Sequence, residues 1–209
     1  MTRTSQAERA KRTYQGEARR IASRSIAGLE RTSVTPDALT ISGVGLCIAG
    51  AVVVYFEYVS EWLFLVGAAL FVVGSILDIL DGALARRSGK GSPFGAFLDS
   101  TVDRIGEAFM IAAIGLVLMR DGSTWGLALA FAAMAGSFLV SYTRARAEVL
   151  GLKGDVGLGS RAERVVVITA GLVLAPIGAL PWAMAVLTAT AWITVVQRVL
   201  SVRAQIRSS

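Results

Sequence analysis

The chain has 209 residues, 54% of them hydrophobic and 17% charged, with a formal net charge of +6. That apolar share exceeds the roughly 45–50% usual in soluble domains, and it gathers in long runs, which excludes a soluble protein with a large core. Histidine is absent and Cys47 is the only cysteine, so His-based acid–base catalysis, His-ligated zinc and an intrachain disulfide are excluded as well.

Residues 1–36 form a basic segment with eight Lys and Arg and no apolar stretch resembling a cleavable signal. Within it, Gly16 to Ser33 interleaves Ile21, Ile26 and Leu29 with Arg19, Arg20, Arg24 and Arg31, the pattern of an amphipathic helix lying along a membrane interface. Thr35-Pro36-Asp37 marks the turn that opens the first span. Residues 37–209 read as one helical membrane domain.

Six apolar runs follow: Leu39 to Tyr58, Trp62 to Leu80, Phe94 to Met119, Trp125 to Tyr142, Val165 to Ala179 and Trp182 to Val199. Most are close to the ~20 residues that carry a helix through about 30 Å of hydrocarbon, and the fifth is short, ending near Pro176. The expected fold is an all-α membrane protein with six transmembrane helices, preceded by the interfacial helix. Gly43, Gly45 and Gly50 in the first run, and Gly67 and Gly74 in the second, suit close helix packing. Six spans place 20 of the 21 basic residues on one face, leaving Arg120 on the other. The positive-inside rule makes that face cytoplasmic, so both termini of a multi-pass cell-membrane protein lie there. Anionic lipid headgroups and substrates account for the net charge better than nucleic acid does.

The second run closes on Asp78-Ile-Leu-Asp81-Gly82-Ala-Leu-Ala85-Arg86, and the third opens on Gly95-Ala-Phe-Leu-Asp99-Ser-Thr-Val-Asp103. An ionisable group at the centre of a membrane helix costs about 3 kcal/mol or more, so four carboxylates imply a cavity, a partner or an ion. Spacings of three and four put each pair on one helix face, and the short connection lets the pairs converge. Sharing one pocket, they would repel unless cations neutralised them. Oxygen-only ligation favours Mg²⁺, Mn²⁺ or Ca²⁺, and two such ions would clamp a pyrophosphate. Gly82 and Gly95 clear room beside the acids, and Arg86 is placed to meet a phosphate. A cation transporter would spread its acids through the membrane depth, whereas these four cluster at one face.

These residues resemble the signature of the CDP-alcohol phosphotransferase family, D-x-x-D-G-x-x-A-R followed by G-x-x-x-D-x-x-x-D, with all eight positions filled by Asp78, Asp81, Gly82, Ala85, Arg86, Gly95, Asp99 and Asp103. The resemblance implies two divalent cations, Mg²⁺ or Mn²⁺, with Asp78 and Asp99 bridging both, Asp81 on one and Asp103 on the other. It implies Asp103 as the base for the attacking hydroxyl. It further implies that Gly82, Arg86 and Ser92 contact the CDP moiety, with Asp37, Ala38, Leu39 and Thr40 closing over the nucleotide. A homodimer is expected on the same ground.

Arginines after the fourth run bear on the acceptor. Arg144, Arg161 and Arg198 would suit a phosphorylated alcohol, because a guanidinium matches phosphate oxygens bidentately; Lys153 and Arg164 are explained by the positive-inside rule alone. The Tyr142 to Glu148 run, the Gly151 to Asp155 run and Gln197-Arg198 are similar to prokaryotic phosphatidylinositol phosphate synthases, which join inositol 1-phosphate to CDP-diacylglycerol. Arg144 stands where that group carries Lys, which keeps the charge and changes the donor geometry. Glycerol 3-phosphate as acceptor and an archaeal ether lipid as donor remain open alternatives.

Overall fold

The computed structural model describes residues 35–88, 91–157 and 159–208. The amphipathic helix expected over Gly16 to Ser33 lies outside them. The described residues form α-helices and short 3₁₀ turns, with no strand among them. The helices are α1 (Pro36–Tyr55), α2 (Trp62–Ser88), α3 (Pro93–Arg120), α4 (Thr124–Val149), α5 (Arg161–Val173) and α6 (Leu180–Ser208).

Local chemistry explains where they start. Thr35, Ser92 and Ser123 each accept a hydrogen bond from the backbone N–H three residues on, at 3.2, 2.9 and 3.2 Å, and so satisfy a donor the first turn would orphan. Pro36 and Pro93 then occupy the first turn, where a missing N–H costs nothing. Ser160 and Glu163 make a reciprocal capping box at the start of α5.

Several boundaries differ from the apolar runs. α2 continues past Leu80 to Ser88, so Asp81, Gly82 and Arg86 sit on one unbroken helix with Asp78. α5 ends at Val173, and a 3₁₀ turn over Ala175–Ile177 containing Pro176 leads to Gly178 at φ +79°. α6 continues beyond Val199 to Ser208.

Four helices, over Pro36–Tyr55, Trp62–Arg86, Thr124–Val149 and Leu180–Arg207, are long and apolar enough to cross a membrane. Large apolar side chains such as Trp62, Ile79, Phe131 and Trp182 are exposed on the outside of the bundle, as expected of a multi-pass membrane protein. α3 is long, but Asp99, Asp103, Arg104 and Glu107 interrupt its first half. α5 has 13 residues, a rise of about 20 Å.

The core is built around α3. Met110, Ile111 and Ile114 are fully buried there against residues that include Phe71 of α2, Ile168 and Leu172 of α5, and Met184 and Leu187 of α6. α1 packs closely on both α2 and α3, which touch one another only lightly. The two Asp-bearing helices are therefore aligned largely through α1 rather than by direct packing. Small residues of α3 and α4 serve this internal packing: Ala113, Ala130 and Ala133 are buried, and a Cβ on Gly115 would stand 3.1 Å from that of Ala130.

Candidate active site

The acidic residues meet near the end of α2 and the start of α3. Asp78, Asp99 and Asp103 each offer an oxygen within 4.8 Å of the others, a donor set made only of carboxylates. Asp78 is buried and the other two are half-buried. Such a set suits hard divalent cations that prefer oxygen ligands. Asp81 stands apart from this trio. Its Oδ2 accepts from the Thr40 hydroxyl of α1, and its buried Oδ1 has no hydrogen-bond partner in the protein. An unpaired buried carboxylate oxygen of this kind fits a cation ligand.

Arg161, the first residue of α5, reaches into the same cluster. Its Nη1 donates to Asp78 Oδ2, while Nη2 lies 2.5 Å from Asp103 Oδ1 in an ion pair that is off the hydrogen-bonding direction. One guanidinium thus contacts a carboxylate from α2 and one from α3.

Two cavities flank the cluster. The first, about 240 Å³, is lined by Pro36, Asp37, Thr40, Asp81, Gly82, Ala85, Arg86, Gly91, Ser92, Gly95, Ala96 and Asp99. It gathers the expected nucleotide contacts Asp37, Thr40, Gly82, Arg86 and Ser92. Ala38 and Leu39 are not in its wall: Ala38 is exposed on the capping turn, and buried Leu39 packs with Leu84. A Cβ on Gly95 would stand 3.2 Å from Ser92 Oγ and 3.3 Å from Asp37 Oδ1, so glycine keeps that wall open.

The second cavity, about 300 Å³, is rich in charge, with five arginines and three carboxylates in its wall. Asp103, Arg104, Glu107, Arg144, Asp155, Arg161, Arg164 and Arg198 line it, together with Ser141, Ser160 and nearby glycines. All three arginines expected at the acceptor are therefore in one cavity, but in different states. Arg161 faces the acids. Arg144 is exposed and pairs with Glu148 at 2.8 Å. Arg198 is buried and spends two donors on backbone, Nε to the Val156 oxygen at 2.9 Å and Nη1 to the Val140 oxygen. It ties the segment before α5 to α4.

Sequence reasoning missed Glu107 and assigned Arg164 only a topological part. The two form a buried bidentate ion pair between α3 and α5. The available signal was a third carboxylate in the third run, four residues after Asp103. Arg104, Ser141 and Asp155 were also unforeseen in the wall.

An all-helical membrane bundle with an oxygen-only donor set beside a basic cavity is the framework of a metal-dependent membrane transferase. Residues 33–197 match the family described as CDP-alcohol phosphatidyltransferase, and the chain belongs to that family. It is 38% identical over 178 residues to archaetidylinositol phosphate synthase of Methanothermobacter thermautotrophicus, covering 83% of this chain and 85% of that one. It is 37% identical over 180 residues to phosphatidylinositol phosphate synthase of Mycolicibacterium smegmatis, covering 83% and 79%. Among solved structures, phosphatidylinositol phosphate synthase of Mycobacterium tuberculosis with CDP-DAG bound superposes with a TM-score of 0.77 at 32% identity, covering 88% of this chain and 94% of that one. The same enzyme in complex with manganese and citrate gives a TM-score of 0.76, also at 32% identity, over 87% and 88%.

Proposed function

We propose that this chain transfers a phosphatidyl group from CDP-diacylglycerol to inositol 1-phosphate, giving phosphatidylinositol phosphate and CMP. The observation that carries this reading is the basic cavity that shares Asp103 and Arg161 with the acidic cluster. An acceptor bearing a phosphate would place that group among Arg144, Arg161 and Arg198, with its hydroxyl toward Asp103. The similarity to synthases of inositol phosphate lipids supports the same acceptor.

Asp78, Asp81, Asp99 and Asp103 would hold two divalent cations, Mg²⁺ or Mn²⁺. When bound, these supply charge neutralisation at the pyrophosphate and at the departing phosphate. Asp37, Thr40, Gly82, Arg86 and Ser92 would bind and orient the CDP moiety in the smaller cavity. Asp103 takes the proton of the acceptor hydroxyl. The alcohol oxygen forms the new bond to the β-phosphorus as the bond from that phosphorus to the bridging oxygen breaks, and CMP leaves with the bridging oxygen.

In this reading all six helices of the bundle span the cell membrane, with α5 completed by the turn over Ala175–Ile177. The acidic cluster and both termini face the cytoplasm, where a water-soluble acceptor meets a lipid donor. The protein functions as a homodimer, as is usual in the family.

The test is CMP release from purified enzyme with inositol 1-phosphate, glycerol 3-phosphate, inositol or serine, each with Mg²⁺ and with Mn²⁺. Activity with glycerol 3-phosphate and none with inositol 1-phosphate would overturn the proposed acceptor. Because the archaetidylinositol phosphate synthase is about as similar as the bacterial synthase, the donor arm compares diacyl with ether-linked CDP-lipid.

A further inference from the structure

Thr40 of α1 and Asp81 of α2 meet across 41 residues of sequence in the wall of the smaller cavity. They are 3% and 2% exposed. Beside them Leu39 packs with Leu84, so an apolar contact between the same two helices flanks the polar one. The Thr40 hydroxyl has one proton and two acceptors in reach, Asp81 Oδ2 and the Pro36 carbonyl oxygen at 3.1 Å. The carboxylate takes it, because a hydrogen bond to an ionised acceptor is the stronger, and the Pro36 carbonyl already faces an N–H of its own helix. The branched Cβ of threonine leaves few rotamers on a helix, so the hydroxyl is aimed before any ligand arrives.

The consequence falls on Asp81. Its Oδ2 is spent on Thr40, while its Oδ1 is buried with no hydrogen-bond partner in the protein. The two oxygens of one carboxylate are thus divided, one held by the protein and one left for a ligand. A carboxylate held in this way meets a cation through a single oxygen. That suits Mg²⁺ and Mn²⁺, which take octahedral oxygen sites, whereas Ca²⁺ also accepts a carboxylate through both oxygens and tolerates more ligands. Asp81 also lies outside the close trio of Asp78, Asp99 and Asp103, so contact among the acids does not hold it. Thr40 does.

We propose that Thr40 is a positioning residue for the metal centre, holding Asp81 as a one-oxygen ligand and so favouring Mg²⁺ and Mn²⁺ over Ca²⁺. This rests on the reading of the four carboxylates as cation ligands.

Thr40→Val keeps the shape and removes the hydroxyl, Thr40→Ala removes both, and Thr40→Ser keeps the hydroxyl. Each is purified and titrated with Mn²⁺ in the absence of substrates, free Mn²⁺ being read by electron paramagnetic resonance and Ca²⁺ binding by displacement of Mn²⁺. Thr40→Val and Thr40→Ala should bind Mn²⁺ about tenfold more weakly, the order of loss when a ligand's hydrogen-bonding partner is removed, and Thr40→Ser should restore binding. Ca²⁺ should lose less, because the freed carboxylate can grip it through both oxygens. In an Asp81→Asn background, Thr40→Val should cost Mn²⁺ affinity nothing more. Wild-type Mn²⁺ affinity in folded Thr40→Val overturns the proposal, as does an equal loss for both ions. A rise in KM for CDP-lipid with Mn²⁺ affinity unchanged would assign Thr40 to the nucleotide alone, and overturns it too. So does failure of both hydroxyl-free variants to fold. Failure of the underlying reading is separate, since wild-type enzyme would then bind no Mn²⁺.

Discussion

Gly43 of α1 and Gly74 of α2 meet backbone to backbone: a Cβ on Gly43 would stand 2.8 Å from the Gly74 carbonyl oxygen, and one on Gly74 would stand 2.5 Å from that of Gly43. Gly50 and Gly67 repeat the interlock further along the same pair of helices, at 2.8 and 2.9 Å. Thr40 lies about one turn from Gly43 and Asp78 one turn from Gly74, so the interlock sets how α1 presents Thr40 to Asp81. Gly74→Ala is expected to destabilise the bundle by roughly 1–3 kcal/mol through overpacking, and to lower turnover further by shifting the acids. Gly45→Ala, which meets nothing within 4 Å, should be silent. Thermal unfolding of both variants in one detergent checks this.

Removing divalent cations with a chelator should abolish CMP release, and adding Mg²⁺ or Mn²⁺ should restore it. Asp103→Asn should lose a factor of about 10² or more in kcat while still binding CDP-lipid, since a positioned base contributes on that order. Turnover retained in Asp103→Asn would remove this residue as the base. Asp78→Asn should also raise the cation concentration for half-maximal rate.

At the opposite end of the bundle, Arg120 sits over the rings of Tyr55 and Tyr58, 4.8 and 4.5 Å from their centroids, and pairs with Glu57 at 2.6 Å. It also donates to the Tyr55 carbonyl oxygen at 3.0 Å. Arg120 therefore latches the end of α3 to the end of α1. Arg120→Leu should cost about 1–2 kcal/mol, because the site is partly exposed, and leave both KM values unchanged. A change in either KM would contradict a purely structural latch.

Much of the site was legible because its chemistry is expensive in a membrane. Asp78, Asp81, Asp99 and Asp103 stand out against an apolar background, and their spacing alone places each pair on one helix face. What was not legible is which partner each charge chooses. Arg164 reads as one more cytoplasmic arginine until the fold brings it to Glu107 across 57 residues of sequence. Arg198 has the residue type for binding phosphate, yet two of its donors go to carbonyl oxygens of a loop and of α4. Helix ends were blurred for a related reason: hydropathy stops where charge begins, whereas α2 continues to Ser88 because backbone hydrogen bonding does not depend on side-chain polarity.

The capping box of α5 gives a pH dependence. Hydrogen bonds from the Ser160 side chain and backbone hold the exposed Glu163 carboxyl below its ordinary value. A carboxyl lowered on folding contributes stability that is complete above its unfolded-state value and is lost as pH falls through the folded-state value. Glu163→Gln should therefore melt below wild type at neutral pH and converge with it in acid. Parallel curves at all pH values would contradict the assignment.

The cavities on either side of the carboxylates have a kinetic consequence. Asp81 and Asp99 belong to one wall and Asp103 to the other, so a donor in the first cavity does not bar the acceptor's way into the second. On the proposed assignment of donor and acceptor to these cavities, both substrates can be resident together, and direct transfer with no phosphatidylated enzyme is expected. Double-reciprocal plots should intersect rather than run parallel, and labelled CMP should not exchange into CDP-lipid until the acceptor is added.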